Sequence, residues 1–217
     1  MKVVAVALLL LALIFVPAAF ADSVSFDINV PSTNLAPATS YGTVNLQLIG
    51  SQIMVTVSMA PGFYVGSGGA ALGFNFGTGV IGSQVSLASS LPSGYSFSCC
   101  SGKQMNGFGT FLGIINGSNS SSAVSTLVFT LSTSQIFSGN TAGFTSVFQL
   151  VGYSTGGGGE GNQYFAVHVV PTTGNTGFAG TTTIVPESGQ YTALISMLIC
   201  FGGMWVSKST PLAYRAS

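Results

Sequence analysis

The amino-acid sequence predicts an all-β protein: an antiparallel β-sandwich, jelly-roll or immunoglobulin-like in outline, flanked by two apolar terminal segments. Three observations support this fold class. Apolar and polar residues alternate with period two through residues 43–59. Clusters of Gly, Pro, Ser and Asn separate short apolar runs at intervals that are typical of all-β domains. No stretch between the terminal segments combines helical spacing with good helix formers.

The clearest predicted element is a β-hairpin. Val44, Leu46 and Leu48 alternate with polar residues, and after Gly50-Ser51 the alternation resumes at Ile53. A glycine in the turn supplies the backbone conformation that such a connection requires. Further strands are predicted at the remaining apolar runs, which are Val24–Val30, Ala71–Phe76, Phe108–Ile115, Val124–Leu131, Phe144–Tyr153 and Gln163–Val169.

The composition limits the partners. Charged residues make up only 4% of the 217 residues, whereas about 25% is usual in a globular protein. The basic field that would neutralise a phosphate backbone is missing, so we expect no nucleic-acid partner. A surface of Ser, Thr, Asn and aromatic residues is typical of proteins that contact neutral polymers such as polysaccharides. The same composition is also compatible with a soluble, uncharged β domain that has no such ligand.

The N-terminus has the ordered features of a secretory signal peptide. Lys2 gives a positive start, an apolar run follows from Val3 to Val16, and Ala19-Phe20-Ala21 is a small-residue site that signal peptidase accepts. A membrane span needs about 20 apolar residues, so this run predicts cleavage and not anchoring. We expect signal peptidase to remove residues 1–21 and to leave Asp22 as the new N-terminus.

A second apolar run, Tyr191–Val206, predicts a transmembrane helix over residues 190–207. Lys208 and Arg215 follow the run, and positive residues are retained on the cytoplasmic side of a membrane. The body of the protein is therefore expected on the outer side.

The body itself is predicted to be one β-sandwich domain, residues 22–171. It is followed by a stretch rich in Gly and Thr, residues 172–184, whose composition predicts a flexible linker to the C-terminal segment. A shorter glycine-rich stretch, Gly156–Gly161, predicts a long loop or spacer inside the domain.

The tripeptide Val185-Pro186-Glu187 stands just before the second apolar run. This tripeptide, the single span and the basic tail resemble the PEP-CTERM sorting signal, over residues 185–217. The resemblance implies that an exosortase recognises Pro186 and Glu187 and processes the tail, in a Gram-negative envelope rich in exopolysaccharide. The same Pro-Glu pair also suits the first turn of a helix.

Cys99 and Cys100 are the cysteines of the predicted body, because Cys200 lies inside the second apolar run. Adjacent Cα atoms stand about 3.8 Å apart, below the usual range for a disulfide, so a bond between these two would be strained and easily reduced. Three interpretations stay open: a vicinal disulfide, an intermolecular bond, or two free thiols in a surface loop.

Candidate catalytic residues are few. His168 is the only histidine, which excludes a multi-histidine metal site within one chain. In the alternating run it points away from Phe165 and Val167, so we expect an outward-facing strand residue. A triad or a carboxylate pair would have to use Asp27, Glu160 or His168, and no nucleophile elbow accompanies them. We predict no catalytic residue, no metal ligand and no cofactor.

These observations predict a non-enzymatic exported protein, held in the membrane by its C-terminal helix before processing and then located at the cell surface or in the extracellular matrix. The alternative is a carbohydrate-binding or adhesive module, in which exposed rings near Phe63-Tyr64 or Tyr95 stack on sugars. A hydrolase is a third hypothesis, which requires Asp27, Glu160 and His168 to converge.

Overall fold

The computed structural model describes residues 23–118, 123–181 and 184–185. The predicted signal peptide 1–21, with its cleavage residues Ala19, Ala21 and Asp22, lies outside the described residues. The sorting residues Pro186 and Glu187 and the predicted helix 190–207 lie outside them as well.

Two β-sheets make up the described part of the chain, and every strand pair whose register is described is antiparallel. The predicted all-β class is therefore confirmed. The first sheet has six strands, in the spatial order β13 (Ile184–Val185), β1 (Ser23–Ile28), β3 (Gly42–Ile49), β4 (Gln52–Met59), β10 (Thr126–Thr133) and β7 (Val85–Leu87). The second sheet has seven, in the order β2 (Val30–Pro31), β12 (Gly177–Thr181), β11 (Phe165–Pro171), β6 (Gly69–Phe74), β9 (Gly109–Gly117) and β8 (Tyr95–Met105), with β5 (Phe63–Val65) beside β11.

The two sheets share one apolar core. The ring of Phe26 on β1 lies 5.0 Å from that of Phe165 on β11, and Phe74 on β6 lies 6.2 Å from Phe129 on β10. All four side chains are at most 1% exposed. Full burial of a side chain of this size contributes about 1.5–3 kcal/mol, so these contacts stabilise the packing of one sheet on the other.

The predicted hairpin is confirmed. Strands β3 and β4 pair from Gly42 with Met59 to Ile49 with Gln52, which leaves Gly50 and Ser51 as the turn. Gly50 has a φ of +62°, a left-handed conformation that costs glycine little.

The predicted strand Phe144–Tyr153 is wrong, because this segment forms a short 3₁₀ turn at Val147–Leu150. The Ser146 hydroxyl accepts a hydrogen bond from the backbone of Phe148, and the Gln149 side chain reaches back to the backbone of Ser146. Such local bonds compete with the bonds of a strand ladder. The segment buries Phe144, Val147 and Leu150, a spacing of three residues that fits a 3₁₀ turn.

The predicted linker 172–184 is also wrong, since it contains β12 and the first residue of β13. Strand β12 lies between β2 and β11, and its Ala179 and Thr181 are fully buried. The domain thus extends past its predicted end at residue 171. Glycine serves close packing here: a Cβ added at Gly180 would lie 2.7 Å from the Gln163 side chain.

Three further strands, β5, β7 and β8, were not predicted. Strand β8 is the longest of the described strands, with 11 residues, and it lies at one end of the order of the second sheet. It exposes Ser96, Ser98 and Lys103, and its apolar alternation is interrupted in the middle. An edge strand with a polar outer face gives a weak periodic signal.

The predicted spacer Gly156–Gly161 packs back onto the turn between β8 and β9. The Gly158 amide donates to the Gly107 carbonyl at 2.9 Å, and Thr110 and Thr155 exchange two backbone hydrogen bonds. This segment borders a second apolar cluster, which contains Ala70, Met105, Phe108, Phe111, Ile114 and Ala166.

Candidate functional site

A disulfide joins Cys99 to Cys100 on β8, with Cα atoms 3.7 Å apart. The bond lies in a bulge. Cys99 pairs with Gly113 and Lys103 with Phe111, so three residues of β8 stand opposite one residue of β9. Cys100 is exposed and has a φ of +77°, the one left-handed conformation of a non-glycine residue in the described part of the chain. Left-handed backbone costs a residue with a Cβ about 1–2 kcal/mol.

The disulfide packs on the 3₁₀ turn Gly82–Gln84, which leads into β7 of the first sheet. The Cys99 sulfur lies 3.3 Å from the carbonyl oxygen of Gly82. A Cβ added at Gly82 would stand 2.8 Å from the Cys100 sulfur. The pair therefore packs a bulge of one sheet against a turn that leads into the other, and Cys100 is the more exposed of the two cysteines.

His168 lies on β11, on the side of the sheet opposite to the core residues Phe165 and Val167. It is half-buried and not fully outward-facing, since its ring lies 5.2 Å from that of Phe178 and a Cβ at Gly66 would touch it at 2.3 Å. Burial lowers the pKa of His168 below 6.5. Its Nδ1 atom is buried without a hydrogen-bond partner.

The two candidate carboxylates have separate surroundings. The Ser40 hydroxyl donates a hydrogen bond to Asp27 on β1, in the first sheet. Glu160 places its carboxylate against Gly107, at the turn between β8 and β9 of the second sheet. Within the described residues, no group of three or more His, Cys, Asp and Glu side chains is arranged to hold a metal ion.

The aromatic residues that were predicted to meet sugars differ in exposure. Tyr95 is 8% exposed and its hydroxyl donates to the Val65 carbonyl at 3.3 Å, so the prediction for Tyr95 is wrong. Tyr95 faces the core because it begins β8 on the inner face. Phe63 and Tyr64 are half-buried, and the Phe63 ring meets Tyr41 edge-on at 5.2 Å.

A stacked aromatic pair joins an exposed tyrosine to a half-buried one. Tyr153 is 53% exposed, and its ring stacks on Tyr164 at a centroid distance of 4.1 Å. The pKa of Tyr164 is raised to about 12. The hydrogen bond with Tyr153 is the largest cause of this rise, and burial is a smaller one. The two tyrosines are 11 positions apart, on a loop and at a strand start, so no local sequence signal pairs them.

A cleft of about 270 Å³ lies beside Phe63, between the segments 35–38, 61–63 and 171–175. Pro37, Pro61 and Pro171 line it together with Phe63, and Thr172, Thr173 and Asn175 add hydroxyl and amide groups. None of the described residues that line the cleft carries a charge. The three segments come from distant parts of the sequence, so sequence patterns could not assemble them.

Three hydrogen bonds hold the walls of this cleft. The Tyr41 hydroxyl accepts from the Ala38 amide at 3.1 Å and donates to the Ala36 carbonyl, and the Thr172 amide donates to the Gly62 carbonyl at 2.9 Å. A tyrosine hydroxyl that bonds the backbone a few residues upstream is the geometry of a tyrosine corner, a common brace in β-sandwiches.

No protein-family model matches the chain, and neither a curated protein nor a solved structure is similar enough to match it. Over the described residues, none of the helices has both the length and the apolar character that a membrane crossing requires.

Proposed function

We propose that this chain is a non-enzymatic exported protein of the cell surface or extracellular matrix, built on a sandwich of jelly-roll or immunoglobulin-like outline. The observation that carries the proposal is the order of segments in the sequence: a segment at residues 1–21 with the pattern of a signal peptide, a β body, and the tripeptide Val185-Pro186-Glu187 before a second apolar run. In this proposal, signal peptidase releases the N-terminus, the helix 190–207 halts in the membrane, and an exosortase processes the tail.

The disulfide between Cys99 and Cys100 supports this location. Disulfides persist in oxidising compartments outside the cytoplasm and are rare inside it. The low charge of the body also suits a surface that meets neutral polysaccharide without electrostatic attraction or repulsion.

The test is to fractionate cells that produce the full chain and to determine both termini of the exported product by mass spectrometry. We expect the product to begin at Asp22 and to lack the apolar run that follows Glu187. A Pro186→Ala, Glu187→Gln double variant should keep the tail, whereas Thr183→Ala, just upstream, should be processed normally. A cytosolic product that retains Met1 would overturn the proposal.

Carbohydrate binding is the second candidate function. It is favoured by the uncharged cleft beside Phe63, which combines an apolar floor with hydroxyl and amide groups.

A further inference from the structure

We propose that the cleft between segments 35–38, 61–63 and 171–175 binds one ring of a neutral glycan. This inference rests on the proposed function only for the location, the cell surface or extracellular matrix, at which the protein would encounter the glycan. The binding itself is a property of the folded body.

The shape of the cleft suits a ligand of this size. Pockets for drug-sized ligands measure about 300–1,000 Å³, and the cleft, at about 270 Å³, is slightly smaller. A single sugar ring with part of its neighbour fits such a volume, and the open side lets the rest of a polymer chain continue into solvent.

The chemistry of the walls matches the two sides of a pyranose. Phe63 and Pro171 are partners in the β5–β11 ladder and thus form one continuous apolar floor. The C–H face of a sugar ring packs on such a floor. Thr172, Thr173 and Asn175 are exposed on the adjoining segment, where their hydroxyl and amide groups are placed to exchange hydrogen bonds with sugar hydroxyls.

The absence of charge among the described lining residues selects a neutral ligand. A carboxylated or sulfated glycan would have to shed water from its charges without gaining a counter-charge, which costs free energy. A neutral glycan gives up only hydroxyl hydration, and the Thr and Asn groups replace it.

The cleft is also rigid before a ligand arrives. Proline fixes its own φ, and Pro37, Pro61 and Pro171 each stand in one of the three walls. Tyr41, fully buried beneath, holds the wall 36–38 through two hydrogen bonds. Walls that are already ordered reduce the entropy lost on binding. Tyr41 is therefore a positioning residue of this site.

The test is calorimetric titration of the full chain, purified in mild detergent, with cellohexaose, maltohexaose and mannohexaose as neutral probes and an alginate hexasaccharide as the charged probe. We expect at least one neutral probe to bind with a Kd on the order of 1 mM, and the alginate probe to bind more weakly. Failure of all three neutral probes at millimolar concentration, or equal binding of alginate, would overturn the inference.

Two variants locate the site. Thr173→Ala combined with Asn175→Ala removes exposed groups without touching the core, and the loss of two hydrogen bonds should weaken binding about tenfold. Phe63→Ala should weaken it at least as much, with an unfolding curve recorded to confirm that the variant folds. Tyr153→Ala is the matched control, because it removes an exposed aromatic ring that does not line the cleft and should leave the affinity unchanged. Binding lost in Tyr153→Ala but kept in the cleft variants would place the glycan on the tyrosine pair instead.

The outcomes of this titration are independent of export. A chain that reaches the surface but binds none of the neutral probes refutes the glycan site alone, and a chain that binds a probe but stays in the cytosol refutes the proposed function alone.

Discussion

The Tyr41 hydroxyl donates a hydrogen bond to the carbonyl oxygen of Ala36, five residues upstream, at a distance of 2.5 Å. The Tyr41 hydroxyl oxygen also accepts a hydrogen bond from the Ala38 amide. Burial raises the pKa of Tyr41, so the hydroxyl stays protonated and able to donate. This bond joins the start of β3 to the loop that forms one wall of the cleft. One buried side chain thereby serves both the packing of the sandwich and the shape of the candidate site.

Tyr41→Phe should lower the free energy of unfolding by about 1–2 kcal/mol, because the Ala36 carbonyl and the Ala38 amide lose their shared partner. For a domain of this size that corresponds to a fall in Tm of about 2–8 °C. Urea unfolding followed by circular dichroism measures the change. Tyr153→Phe, on an exposed ring, is the control and should cost less; an equal cost in both variants would contradict the bracing role of Tyr41.

Reduction of the Cys99–Cys100 disulfide should be readily reversible and should loosen only its surroundings. A dithiol reductant that is oxidised in the exchange adds two hydrogen atoms, so the intact mass should rise by about 2 Da. A bond between neighbours closes a very short loop, so the free energy of unfolding should fall by only about 1 kcal/mol. Hydrogen exchange should increase at the turn Gly82–Gln84. No mass change on reduction, or a dimer that falls apart, would contradict the vicinal bond.

The free energy of unfolding should decrease as the pH falls through about 6.5, the unfolded pKa of histidine. Burial lowers the pKa of His168 in the folded protein. Below pH 6.5 the unfolded chain therefore binds more protons than the folded chain, which favours unfolding until the folded pKa is passed. Denaturant curves between about pH 7.5 and about pH 5.5 measure this slope.

His168→Gln supplies the control for the pH dependence. Because His168 is the only histidine in the sequence, the slope should vanish in this variant. A slope that persists unchanged in His168→Gln would assign the pH dependence to another group.

The Gly/Thr segment after residue 171 should behave as part of the fold. Ala179 is 0% exposed on β12, so Ala179→Asp buries an unpaired charge and should cost about 3–5 kcal/mol. Thr176→Asp, three positions earlier on an exposed residue, should cost little. Thermal unfolding of both variants distinguishes a core strand from a tether; similar Tm values would favour a tether.

Local signals predicted the parts of the fold that depend on neighbouring residues. The hairpin of β3 and β4 needs only an alternating pattern and a turn glycine, and both are contiguous in the sequence. The segment Val147–Leu150 predicts a strand because its apolar residues are compatible with one, whereas the capping by Ser146 and Gln149 favours the 3₁₀ turn that forms.

The candidate site was less predictable than the fold. Phe63 was singled out for its aromatic ring, but the walls that make it part of a cleft come from residues near 36, 61 and 172. No sequence pattern marks Tyr41 as a bracing residue. Its hydroxyl reaches the Ala36 carbonyl and the Ala38 amide only when the loop folds over the ring. The stacking of exposed Tyr153 on half-buried Tyr164 also has no local sequence signal, because the two residues meet only in the folded chain.

The sequence by itself determined the all-β class, the hairpin from Gly42 to Met59, the scarcity of charge and the adjacency of Cys99 and Cys100. Only the tertiary structure decided that the segment after residue 171 supplies a buried strand, that Tyr95 faces the core and that three prolines meet beside Phe63. The reason is the range of the interactions: periodicity and composition are read from neighbours, whereas strand pairing and cleft walls depend on residues that meet only when distant parts of the chain pack together.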